Sequence, residues 1–263
     1  MPTLEARGVE IAWSERGEGL PVLLIHETAA TGGIWEPLAS VLSGSARAIS
    51  YDRRGWGSSS VPEDYRRTTV EEQSEDAVEL IETAADDPAV VCGAGLGAMI
   101  ALDLLLRRPD LVSGAILIEP PLLQLLPMAT EALSDDRLRL EGAARSAEEV
   151  IDLYVSGALP ALGPGVSRLP EPMAATARDR SASVLAELGI AASWRMPMPR
   201  LASAERESAI VTSESTPPLL RDVAAALTGR LAGTTNREVR SGTELPHVGA
   251  APELASLVGE LSR

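Results

Sequence analysis

Short apolar runs alternate with stretches whose apolar residues recur at helical spacing, and this alternation most constrains the fold. PVLLI at 21–25, ARAISYD at 46–52, AVVC at 89–92 and GAILIE at 114–119 read as strands. Between them, Trp35, Leu38, Val41 and Leu42, then Val70, Ala77, Val78 and Ile81, then AMIALDLLL at 98–106 read as helices. Thr69 with Glu72 supplies a capping box for the second of these. Strands alternating with helices build an α/β fold around a mostly parallel central sheet flanked by helices. Upstream, TLEARGVEIAWSERGEGLPVLLIHE alternates around Gly17 and Gly19, which predicts a hairpin followed by a buried strand.

From Pro120 to about Glu207 the strand signal disappears. Pro160, Pro164, Pro170, Pro172, Pro197 and Pro199 break Leu-, Ala-, Arg- and Glu-rich stretches, which predicts an inserted lid of short helices. The expected division is a core of residues 1–120 and 207–263 with a helical lid insertion at 121–206. Alternation resumes with strand AIVTSE at 209–214, a helix beginning near Pro217 and Pro218, a short strand REVR and a terminal helix in PELASLVGELSR.

The 263-residue chain is long enough for one such unit with a sizeable core. Lys and Arg total 23 against 38 Asp and Glu, a net charge of −15 that repels nucleic acid and anionic membranes. No run approaches the ~18 apolar residues of a membrane span, and the beginning lacks a signal pattern, so a cytoplasmic protein is expected. The expected partner is a small-molecule ligand or substrate. Oligomeric state is not legible. Cys92, the single cysteine, excludes an internal disulfide and reads as a small buried hydrophobe. With only His26 and His247 and no H-E-x-x-H spacing, no metal site is expected.

Residues 91–98, VCGAGLGA, admit two readings. Gly93, Gly95 and Ala98 match the dinucleotide fingerprint G-x-G-x-x-[G/A], with Glu119 near the place of the ribose-binding acid. The same letters fit the strand-to-helix turn G-x-S-x-G that carries a hydrolase nucleophile, with Gly95 in the serine's place.

The fragments PVLLIHE, IWEPLASVL, ARAISYDRRGWGSSS, VVCGAGLGAMIALDLLLRRPDLV and GAILIEPP occur in the order seen in the α/β-hydrolase fold, and the chain resembles that superfamily over nearly its whole length. YDRRGWGSS at 51–59 is the most specific match. The resemblance leaves no vacant nucleotide crevice and implies no cofactor. It implies a nucleophile, an acid and a histidine in that chain order, and the residues at those places depart from the pattern. Gly95 holds the nucleophile's place, Thr216 the acid's, with Glu119 or Glu214 able to substitute. In GTELPHVGAAPE, aligning L-P-H puts Glu244 in the histidine's place and His247 in a second position; the stretch to Pro252 is one residue longer than usual, and His247 remains the alternative.

His26-Glu27-Thr28 stands where the superfamily has His-Gly-x, which would face the backbone N–H groups of Thr28 and Leu96 towards a pocket. Glu27 in place of glycine would fill the pocket mouth or act as a base. His26 is either a hydrogen-bonding member of the loops or a proton carrier. Trp35 and Trp56 either pack the rims or wall the pocket, and Arg53 and Arg54 are expected in ion pairs beneath it. Two functions fit: an enzyme without a serine nucleophile, using Glu244, Glu27 or His247 as acid or base on a small carbonyl-bearing molecule, or a catalytically silent binding protein. Carboxylates converging on an open cavity would favour the first; carboxylates held by arginines would favour the second.

Overall fold

The computed structural model describes residues 1–143, 146–163 and 168–262. Eight strands form one sheet: β1 (Thr3–Ala6), β2 (Val9–Arg16), β3 (Leu20–Ile25), β4 (Ala46–Tyr51), β5 (Ala89–Ala94), β6 (Val112–Ile118), β7 (Ser208–Ser213) and β8 (Thr234–Val239). Their order is β1-β2-β4-β3-β5-β6-β7-β8. From β4 onward in that order neighbours are parallel, while β1 and β2 run antiparallel at one edge.

The hairpin expected around Gly17 and Gly19 lies elsewhere. β1 and β2 form it through Arg7 and Gly8, which have φ 49° and 80°, the left-handed pair a two-residue turn requires. The Gly17–Gly19 turn instead carries the chain past β4, because β2 and β3 both pair with β4 and not with each other. Apolar alternation alone does not say which strands become neighbours.

Helices cover both faces. α1 (Glu36–Leu42), α2 (Val70–Ala84) and α3 (Leu96–Arg107) connect the first parallel strands. α4 (Ala129–Ala143), α5 (Ala147–Val155), α6 (Glu171–Asp179), α7 (Ser181–Glu187), α8 (Ile190–Ser193) and α9 (Met198–Leu201) all lie between β6 and β7. α10 (Pro218–Thr228), α11 (Pro246–Gly249) and α12 (Ala251–Leu261) complete the chain. Strand periodicity divides the core: Leu23, Ile25, Val91 and Leu117 pack with α2, α3 and α10, whereas Val22, Leu24, Val90 and Ile116 pack with α1 and α12. Each fully buried side chain of this size contributes roughly 1.5–3 kcal/mol of transfer free energy. α2 starts where its sequence signal predicts, with the Thr69 hydroxyl accepting the Glu72 N–H at 3.1 Å.

The YDRRGWGSS stretch fastens the loops above the strand ends. Asp52 accepts the backbone N–H groups of Gly32 at 2.8 Å and Ser58 at 2.7 Å. Arg54 grips Asp76 on α2 through two bonds of 2.6 Å. Among the described residues no helix is long and apolar enough to cross a membrane.

Candidate active site

β5 ends in the sharp turn that the glycines allow. Gly95 takes φ 53° and ψ −120° at the N-terminus of α3, a left-handed conformation that costs about 1–3 kcal/mol for a residue with a Cβ. A Cβ at Gly93 would overlap the Gly97 carbonyl, and one at Gly97 would overlap the Ile25 carbonyl, so these glycines let β5, α3 and β3 cross closely. Leu96 occupies the first turn of α3, and its N–H has no acceptor among the described residues; the Thr28 N–H has none either. Both residues line a small cleft of about 60 Å³ that opens to solvent.

Glu27, Glu119 and His247 line the same cleft. Glu27 follows β3 and is 9% exposed. A Cβ built on Gly95 would lie 3.0 Å from Glu27 Cβ and 3.5 Å from Glu27 Oε2, so the glutamate reaches across the bare apex of the turn. Glu27 Oε1 is 3.1 Å from His247 Nε2. The two sit at ion-pair distance but are not aligned for a hydrogen bond, and both atoms are buried without a hydrogen-bond partner. The Trp35 ring lies against the His247 imidazole, centroids 5.0 Å apart, and is fully buried.

Glu119 follows β6 with φ 48°. Its carboxyl accepts the hydroxyl proton of Thr216, whose oxygen accepts the Ser213 N–H at 2.7 Å. Burial pushes the Glu119 carboxyl up to about 7, with the negative charge of Glu27 adding to the effect and the Thr216 hydrogen bond opposing it. At neutral pH this group is poised between acid and base.

A third carboxylate, Glu187 at the end of α7, also reaches the cleft wall but is fully engaged. It accepts from Arg53 Nη1 at 2.6 Å, Trp56 Nε1 at 2.9 Å, Gln73 Nε2 at 3.2 Å and the Thr28 hydroxyl at 2.6 Å. Arg53 also donates from Nε to the His26 carbonyl at 2.9 Å. Charge, hydrogen bonds and burial are all matched, the condition under which an internal ion pair is tolerated. The sequence singled out Arg53 and not its partner, which lies 134 residues away in the helical insertion.

The remaining expectations divide. His26 stands outside the cleft: its Nε2 accepts the Arg53 backbone N–H at 2.9 Å and its Nδ1 donates to the Glu27 carbonyl at 2.7 Å. Burial first, and the Arg53 charge second, hold its imidazole well below the usual 6.5, which favours the neutral ring that these two hydrogen bonds fix in the loops. Glu244 is exposed and does not line the cleft, whereas His247, on α11, does. Glu214 folds the turn ahead of this stretch, accepting the N–H groups of Ser241 at 3.0 Å and Gly242 at 2.7 Å. Those backbone donors hold the Glu214 carboxyl below its usual range. Thr216 and Trp35 back the site through Glu119 and His247 instead of lining it.

The α/β-hydrolase family model matches residues 22–256. This chain belongs to the α/β hydrolase family. A curated relative, the uncharacterized hydrolase YraK of Bacillus subtilis, is 36% identical over 124 residues; the aligned stretch spans 47% of this chain and 46% of YraK, less than half of that relative's length. Among solved structures, an α/β hydrolase from Sphaerobacter thermophilus has a TM-score of 0.71 at 22% identity, covering 97% of this chain and 99% of that one. The epoxide hydrolase VrEH1 from Vigna radiata has a TM-score of 0.73 at 19% identity, covering 98% and 96%. At these identities the structures establish the shared fold of this α/β hydrolase family member, and its own site residues must supply the chemistry.

Proposed function

We propose that this α/β hydrolase family protein is an enzyme that works without a serine nucleophile, moving a proton on a small carbonyl-bearing molecule held beneath the α4–α9 insertion, which serves as its lid. The observation that carries this reading is the convergence of Glu27 and Glu119, neither paired with an arginine, on one open cleft beside His247. Glu27 acts as general base. Its carboxylate, paired with no arginine, lies over Gly95, where the substrate's reacting carbon would sit.

As the proton passes to Glu27, negative charge develops on the carbonyl oxygen, and the free N–H groups of Leu96 and Thr28 receive it. The helix dipole of α3 adds to the Leu96 donor. Glu27 becomes neutral in the same step, so the net charge of the cleft is unchanged by the transfer. Glu119, whose carboxyl is pushed up to about 7, returns a proton to the product. The Glu187 network fixes Thr28 by its hydroxyl, keeping the N–H aimed.

The test follows α-hydrogen exchange of cyclohexanone and phenylacetone in D2O at neutral pD by NMR. The wild-type protein should raise exchange of at least one probe tenfold or more over buffer, and Glu27→Gln should abolish the increase while retaining the folded spectrum. Exchange at the buffer rate with both probes would overturn the reading in favour of a protein that binds without turnover.

A further inference from the structure

We infer that the molecule recognised by this cleft carries a protonated amine, seated between Glu27 and Glu119, and that carboxylates and phosphates are excluded. This deepens the acid–base reading above by naming the class of molecule that the same cleft accepts.

The titratable groups that face the cavity are Glu27, Glu119, Glu187 and His247, and no arginine lines it among the described residues. The sequence contains no lysine. Glu187 is neutralised by Arg53. Glu27 has no such counterion of fixed charge: its carboxylate is nine-tenths buried, and Oε1 has no hydrogen-bond partner despite the nearby imidazole. A buried carboxylate without donors is costly, and the cost is recovered when a ligand supplies them. An ammonium group brings one positive charge and three N–H donors, enough to serve both carboxylates at once.

Room exists for it. The missing Cβ at Gly95 leaves open the space that adjoins Glu27 Oε2. Thr216 holds the Glu119 carboxyl through one oxygen, Oε1. Leu96, Met99, Val184 and Leu220 supply apolar walls for the hydrocarbon of the same ligand. An anionic ligand would place a further negative charge beside Glu27, where no arginine or lysine lines the cleft among the described residues and the His247 imidazole already faces Glu27 Oε1 at 3.1 Å, and like-charge repulsion in a poorly solvated site opposes it.

Three probes with similar skeletons test this: 2-phenylethylammonium, 2-phenylethanol and 3-phenylpropanoate, titrated into the full-length protein at pH 7.5 by NMR and calorimetry. The ammonium should bind at least tenfold tighter than the alcohol, and the carboxylate should not bind at tenfold higher concentration. Glu27→Gln should weaken ammonium binding tenfold or more and change alcohol binding less than twofold; Glu119→Gln, which keeps the Thr216 contact, should weaken it severalfold and serves where the first variant does not fold. Equal binding of carboxylate and ammonium, unchanged ammonium affinity in folded variants, or no ammonium binding overturns the inference. Amine binding without ketone exchange would refute only the acid–base reading, and ketone exchange without amine preference would refute only this one.

Discussion

Glu27 and Gly95 occupy one space between them: a Cβ on residue 95 would stand 3.0 Å from Glu27 Cβ, so the bare turn and the glutamate depend on each other. Restoring a side chain at the turn therefore costs twice, once for the left-handed backbone and once for displacing Glu27.

Gly95→Ser should destabilise the protein by about 1–3 kcal/mol in urea unfolding, the range for a side chain forced into such a conformation. It should show no acyl-enzyme burst with p-nitrophenyl acetate, because the carboxylate above it competes for His247. A stable variant with a burst would contradict this coupling.

Removing the Glu187 charge strands Arg53, whose side chain is 1% exposed. Glu187→Gln should cost about 3–5 kcal/mol, the range for breaking one side of a buried pair, and Glu187→Asp less. Proteolysis should then attack the α4–α9 insertion first, since Glu187 ties α7 to Thr28, Arg53, Trp56 and Gln73. A loss under 1 kcal/mol would show that the network is dispensable.

Glu119 predicts a pH dependence with a definite sign. Its folded carboxyl titrates at about 7, above the usual 4.5, so the folded state holds the proton more tightly than the unfolded chain. Stability contributed by this group is present below 4.5 and lost as pH rises towards 7, by up to about 3 kcal/mol. Glu27, His247 and Arg221 also act on this carboxyl. Glu119→Gln should flatten that part of the curve between pH 4.5 and 7 in denaturant titrations; an unchanged slope would refute the assignment.

Much of the fold is legible because period and punctuation are local. The capped start of α2, the strand–glycine–helix turn at 93–97 and the 51–59 loop each follow from neighbouring residues. What escapes depends on contacts distant in sequence. Glu187 resembles any helix-borne acid until folding brings it to Arg53, 134 residues away, and Thr28, 159 away. Glu244 and His247 lie three residues apart, and only the folded loop shows that the first is exposed and the second is buried against the cleft. His26 carried a family-like position, yet both of its ring nitrogens are spent on the loops around it.

The central claim is that chemistry in this cleft needs no attacking hydroxyl or thiol from the chain. Its most direct test is intact mass spectrometry after incubation with a serine-directed fluorophosphonate at neutral pH, alongside a serine esterase as positive control. The account predicts that this protein keeps its unmodified mass while the control is labelled. A stoichiometric adduct mapping to a residue that lines the cleft would contradict it.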